Sequence, residues 1–133
     1  MWKVQTSLCF DEWFAGQDSD IKIEIAGLIK LLELFGPRLG RPHADTLSGS
    51  KHVNMKELRG RTADKVLRIA FAFDPDRVAI LLVAGNKAGV GQKRFYKQLI
   101  ESADRLYDAH LTVVAKSATS RRSDAKNKNL GEA

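Results

Sequence analysis

The chain has a single cysteine, Cys9, in 133 residues, so no disulfide can form within it and no zinc site built from several thiolates is available. A lone thiol suits a reducing compartment. The tendency of free cysteine to behave as a small apolar side chain predicts that Cys9 is buried. No apolar run approaches the roughly 20 residues needed to cross a bilayer. The start, Met1-Trp2-Lys3-Val4-Gln5-Thr6, has no cationic segment followed by a long apolar stretch of the secretory kind. These absences predict a cytoplasmic protein with no membrane partner. The three histidines, His43, His52 and His110, make no ligand set with Cys9, and no metal is expected. Internal repeats are also missing. Acidic residues are the minority, 16 against 22 lysines and arginines, and the resulting net charge of +6 attracts polyanions such as RNA, DNA or an acidic protein. Net charge says nothing of fold, so position must decide which.

What is present is enough apolar material for one core: 44% of the residues are hydrophobic and 29% charged, in a chain of ordinary domain length. Trp2 to Gln5 reads as a short strand, and Phe10, Trp13 and Phe14 fall at helical spacing before Gly16. Asp18 or Ser19 can cap a longer helix in which Ile21, Ile25, Leu28, Leu32 and Phe35 recur every three or four residues, with Gly36-Pro37 as its stop. One face of that helix must be buried, while Lys22, Glu24, Lys30 and Glu33 form a solvated side. Residues Gly36 to His52, rich in Gly, Pro, Ser and basic side chains, read as a loop rather than a domain boundary, because neither half alone could bury its apolar face.

Three strands are expected next, at Asn54 to Gly60, Lys65 to Asp74 and Arg77 to Asn86, the last two joined by an Asp74-Pro75-Asp76 turn. Alternation in the middle strand puts Leu67, Ile69, Phe71 and Phe73 on one face and turns Arg68 to the other, away from the apolar core. The following strand, Val78 to Ala84, is apolar on both faces, as a central strand covered from both sides would be. It ends in a glycine-rich turn, Gly85 to Gly91, which lacks the strand, loop and helix signature of a nucleotide-binding motif. Gln92 to Leu111 is helical, with Phe95, Leu99, Ala103 and Leu106 on one stripe, and His110 near its end. Beyond it the pattern fades; residues 113–133, with Arg121, Arg122, Lys126 and Lys128, read as a basic flexible tail on a domain of residues 1–112.

A series of short strings, in order, resembles the phage-derived host-growth-inhibition branch of the HigB and RelE toxin superfamily. They are Phe35-Gly36-Pro37-Arg38-Leu39-Gly40-Arg41-Pro42, Gly49-Ser50-Lys51-His52, Met55-Lys56-Glu57-Leu58-Arg59 and Leu67-Arg68-Ile69-Ala70-Phe71-Ala72-Phe73-Asp74-Pro75. Ala79-Ile80-Leu81-Leu82, Gly85-Asn86-Lys87, Arg94-Phe95-Tyr96 and Ala103-Asp104-Arg105-Leu106-Tyr107 with His110-Leu111 continue the series. The resemblance covers roughly residues 1–112. It implies an α+β, RelE-like fold: a small twisted, mostly antiparallel sheet flanked by amino-terminal helices and a carboxy-terminal helix. It also implies a type II toxin, an endoribonuclease that cuts messenger RNA on the ribosome, arrests translation and growth, and is silenced in a hetero-oligomer by a helix-turn-helix antitoxin of the HigA type. No metal or other cofactor is implied.

Cutting RNA without a metal requires the 2'-hydroxyl to attack its own phosphate. A base accepts its proton, cations hold the added negative charge, and an acid protonates the leaving 5'-oxygen. Arginine suits phosphate through its planar donor fork, and lysine supplies a point charge that can titrate. Carried over residue by residue, the resemblance assigns Arg68 to the scissile phosphate with Arg59 beside it, followed by Lys87, Arg94 and Tyr96 as catalytic candidates. Lys56, His52 and Lys93 are the expected RNA contacts, and ribosomal RNA contacts are expected too. Two departures bear on the site: the family often has Trp where this chain has Phe95, and Gly89-Val90-Gly91 lengthens the turn before Arg94. Two alternatives stay open on the same fold, a ParE-like inhibitor of DNA gyrase and a binding module that has lost catalysis.

Overall fold

Two side-chain caps start the amino-terminal helices. In the computed structural model, which describes the backbone of residues 1–131 and the side chains of residues 1–120, Ser7 Oγ accepts a hydrogen bond from the Phe10 amide at 3.0 Å. Asp18 Oδ1 accepts one from the Ile21 amide at 3.1 Å. Each satisfies an amide that the first helical turn leaves without a partner. Helix α1 (Leu8–Ala15) and helix α2 (Ser19–Phe35) follow. Ile21, Ile25, Leu28 and Leu32 of α2 are buried, as their spacing predicts. Phe35 is not: it stays 52% exposed. The chain leaves the helix through Gly36 at φ +55°, where an added Cβ would overlap the Trp2 ring.

The sheet contains β1 (Val4–Thr6), β2 (Ala44–Thr46), β3 (Lys56–Arg61), β4 (Val66–Phe73) and β5 (Ala79–Asn86), in the order β1-β5-β4-β3-β2. β1 runs parallel to β5 and every other pairing is antiparallel. On one face, Leu58, Leu67, Ile69, Phe71 and Leu81 pack against α1 and α2. On the other, Ala70, Ala72, Ile80 and Leu82 pack against Phe95, Leu99, Ala103 and Tyr107 of helix α3 (Gln92–Gly131). β5 lies between β1 and β4 with helices on both faces, which accounts for its unbroken apolar sequence. The α+β architecture that the resemblance implies is the one observed.

Three expectations are corrected. Cys9 is exposed, because α1 fully buries only Phe10. The presumed loop from Gly36 to His52 contains β2, a three-residue strand pairing with Lys56–Leu58 that is too short for alternation to reveal. The last helix does not end at Leu111: residues 112–130 hold no proline or glycine, and the helix continues to Gly131, the last residue whose backbone is described. The side chains of Arg121, Arg122, Lys126 and Lys128 lie outside the described residues. Among the described residues no helix is long and apolar enough to cross a membrane.

Candidate functional site

The register of β3 on β4 sets Arg59 directly opposite Arg68, an unfavourable pairing of like charges unless a counter-charge lies between them. Glu57 is that counter-charge. Strand alternation turns Glu57, Arg59 and Arg61 toward α3, while Leu58 and Gly60 face α2. The cross-strand neighbour of Glu57 is Ala70, whose small side chain leaves room for the carboxylate. Gly60 permits a close approach of α2, since a Cβ there would lie 2.9 Å from Leu28 Cδ1.

Glu57 is 3% exposed and Arg68 5%. Glu57 Oε1 accepts hydrogen bonds from Arg59 Nη1 at 2.6 Å and from the Tyr96 hydroxyl at 3.1 Å. Arg68 Nε lies 3.5 Å from the same oxygen and donates to the Tyr96 hydroxyl at 3.0 Å, while Arg68 Nη1 donates to the Leu67 carbonyl at 2.9 Å. Every buried side-chain nitrogen or oxygen among the described residues has a partner, as burial of charge demands.

The turn after β5 delivers a further cation. Asn86 Oδ1 accepts from the amides of Val66 and Ala88, both at 3.0 Å, and the Lys87 amide donates to the Val66 carbonyl at 2.7 Å. Thus anchored, Lys87 holds its ammonium 5.7 Å from the centroid of the Tyr96 ring. Partial burial pushes the Lys87 ammonium below the usual lysine range, the guanidinium groups of Arg68 and Arg59 push it further, and Glu57 opposes them. Phe95 stands edge-on to Tyr96 at 5.4 Å and packs over Gly85, so it helps to fix the phenol.

Above this cluster lies a cleft of about 730 Å³. Glu57, Arg59, Lys87 and Tyr96 line it together with Arg41, residues 45–48 and, from α3, Gln92, Lys93, Lys97 and Ile100. Its size fits a nucleotide-sized ligand.

Of the residues singled out in the sequence, Arg59, Lys87, Tyr96 and Lys93 converge on this cleft. Arg68 is on the face that alternation predicts, but that face is covered by α3 and carries a second apolar cluster, so the side chain is buried behind Tyr96 rather than turned away from the core. Arg94 is exposed at the start of α3 and does not line the cleft. Lys56 occupies the opposite face of β3 and donates to the Pro37 carbonyl at 3.2 Å. His52 is held against α3, with Nε2 2.8 Å from Asp108 Oδ1 and its ring edge-on to Tyr107. His110 is not a helix-end residue: it sits within α3, 2.8 Å from Asp74 Oδ2. The reading of the sequence did not single out Glu57, Arg41 or Lys97, all of which line the cleft. The available signal for Glu57 was its place two residues before Arg59, on the same face of a strand.

A family profile described as "Phage derived protein Gp49-like" matches residues 12–108. The chain is 43% identical over 115 residues to the protein named "Putative toxin HigB2" of Mycobacterium tuberculosis (strain ATCC 25618 / H37Rv), a match covering 86% of this chain and 57% of that protein. It is 47% identical over 95 residues to "Putative toxin HigB3" of the same strain, covering 71% of this chain and 81% of that one. The chain therefore spans little more than half the length of the first relative and most of the second. With the profile match and these identities carried by one α+β fold, the chain belongs to the phage-derived Gp49-like family, among the HigB-like toxins.

Proposed function

We propose that the chain is the toxin of a type II toxin-antitoxin pair and cuts messenger RNA on the ribosome, without a metal, through the cluster on the floor of the cleft. The observation that supports this reading most is the convergence of a carboxylate, a phenol and three cations, Glu57, Tyr96, Arg59, Arg68 and Lys87, contributed by β3, β4, α3 and the turn after β5. Arg59 and Lys87 line the cleft and take the two non-bridging oxygens of the scissile phosphate. Glu57 accepts the proton of the 2'-hydroxyl as that oxygen bonds to phosphorus. The bond from phosphorus to the 5'-oxygen breaks, Tyr96 gives its phenolic proton to the departing oxygen, and a 2',3'-cyclic phosphate remains. Arg68, buried behind the phenol, positions Tyr96 and Glu57 and stabilises the phenolate as it forms. The fixed guanidinium and ammonium groups supply the positive charge that the transition state needs, already oriented.

Lys93 and Lys97 at the cleft wall guide the strand, and the net charge of +6 favours a ribosomal location through contacts with ribosomal RNA. The names of the curated relatives support the toxin role, and a helix-turn-helix antitoxin of the HigA type is the partner that follows from it. Residues 1–112 form the toxin domain in this reading, and the protein works in the cytoplasm.

The test is a purified translation reaction in which message ends are mapped with and without the protein. New ends within translated codons, terminating in cyclic phosphate, are expected. Intact message together with inhibition of DNA supercoiling by the same folded preparation would replace this reading with gyrase poisoning.

A further inference from the structure

β2 pairs with β3 only at Lys56–Leu58. Past Arg59, whose amide still donates to the His43 carbonyl at 2.8 Å, the outer edge of β3 has no neighbouring strand among the described residues. A second cleft of about 330 Å³ opens there, lined by Arg41, His43, Arg59, Arg61, Arg68 and Glu24 among others. Arg41 and Arg59 line the main cleft as well, so the two openings adjoin at these guanidinium groups.

Four guanidinium groups and the carboxylate of Glu24 line the second cleft, and Arg59 and Arg68 share the carboxylate of Glu57. Arg41 pairs with Asp45 at 2.7 Å and Arg59 with Glu57, whereas Arg61 is exposed and makes no ion pair among the described residues. The field of Arg61 also reaches the main cleft, where it joins Arg68 and Arg59 in disfavouring the charged form of Lys87. A row of cations, Arg61, Arg41, Arg59 and Lys87, therefore leads from the free edge of β3 to the turn after β5 along two adjoining clefts, interleaved with the carboxylates of Asp45 and Glu57. An exposed strand edge guarded by charge against pairing with another chain is common. A guard needs no cleft, however, and no continuity with a second cationic site.

We infer that the cleft at the free edge of β3 is a second phosphate-binding subsite, in which Arg61 and Arg41 hold the phosphate next to the one seated at Arg59 and Lys87 on the same nucleic-acid strand. This rests on the reading of the main cleft as an RNA site and extends it: the ligand is a single strand bound through successive phosphates. Arg61 is here a substrate-positioning residue, removed from the reacting atoms.

The experiment titrates the full chain with fluorescent 2'-deoxy oligonucleotides, which lack the attacking hydroxyl and stay intact, over a range of salt concentrations. A mononucleotide and a tetranucleotide are compared. Arg61→Ala is expected to weaken binding of the tetranucleotide and to reduce the slope of log affinity against log salt by about 0.7, the value for one phosphate contact to a single strand. Arg61→Lys keeps the slope, and mononucleotide affinity is unchanged in both variants. An unaltered slope in a folded Arg61→Ala protein overturns the subsite, as does an Arg61→Ala protein that aggregates more readily yet binds as before, which marks Arg61 as an edge guard only. Wild-type protein that binds no tetranucleotide overturns it too. The two readings separate cleanly. Message cleavage with an unaltered Arg61→Ala slope removes the subsite alone, whereas the expected slope change in a protein that cuts no message upholds the subsite and removes the nuclease.

Discussion

The carboxylate of Glu57 and the phenol of Tyr96, 39 positions apart in the chain, are joined by a 3.1 Å hydrogen bond across the gap between β3 and α3. Arg68 donates to the same phenol oxygen from behind. The phenol oxygen is thus fixed between a donor and an acceptor at the edge of the cleft. Tyr96→Phe is expected to lower the cleavage rate by about 10²–10⁴, the usual range for loss of a general acid. Stability falls by only about 1–3 kcal/mol, because Glu57 keeps Arg59. Single-turnover cleavage and denaturant unfolding on one preparation check both values, and the loss belongs in kcat rather than in KM.

Removing the carboxylate itself has a different consequence. Glu57→Ala leaves Arg59 and Arg68 facing each other across the β3 and β4 ladder without their shared counter-charge. Truncating one partner of a buried ion pair costs about 3–5 kcal/mol. Equilibrium unfolding is expected to show a loss of that size, and a fall in melting temperature that added phosphate partly reverses, since an anion in the cleft replaces the missing charge.

Lys87 sets a dependence on pH. Its folded value lies below the ordinary 10.5, through partial burial first and the Arg68 and Arg59 guanidinium groups next. Between the folded and unfolded values the folded protein binds fewer protons, so the contribution of this group to stability rises with pH across that window. Phosphate binding has the opposite sign, because it needs the ammonium. Affinity for a 2'-deoxy oligonucleotide is expected to fall as pH rises through the lowered value, before ordinary lysines titrate. Lys87→Arg, charged throughout, is expected to remove that fall. Identical pH profiles for the two proteins would contradict the placement of Lys87 at the phosphate.

Asp74 provides a stability test away from the cleft. Its carboxylate accepts from the amides of Asp76 at 2.9 Å and Val78 at 3.0 Å and pairs with His110 at 2.8 Å, tying the hairpin between β4 and β5 to α3. Asp74→Ala is expected to cost about 1.5–3 kcal/mol, the worth of hydrogen bonds to a charged group, in urea unfolding. Cleavage per folded molecule is expected to be unchanged.

The fold was legible where periodicity is strong. Ile21, Ile25, Leu28 and Leu32 marked the buried stripe of α2, and alternation in β4 sorted Leu67, Ile69 and Phe71 from Ala70 and Ala72. β2 escaped because three residues carry no period, and the length of α3 because residues beyond Leu111 lack an apolar stripe yet contain nothing that stops a helix. At the site, alternation put Arg68 on the correct face but could not show that α3 covers it. Glu57 was overlooked because a lone acid on a basic strand looks solvated until register brings Arg68 and α3 brings Tyr96 to the carboxylate that Arg59 already shares. Lys56 and His52 went the other way. Both lie in the right stretch of sequence, and contacts with the Pro37 carbonyl and with Asp108 take them out of the cleft.

The central claim is that the cluster built on Glu57 cuts RNA. The most direct test maps message ends in a purified translation reaction with wild-type protein and Glu57→Gln side by side, the amide keeping the shape of the side chain while removing its basicity. New ends within codons are predicted for the wild type and none for the variant, with both proteins folded by circular dichroism. Ends of equal abundance in the two reactions would contradict the account.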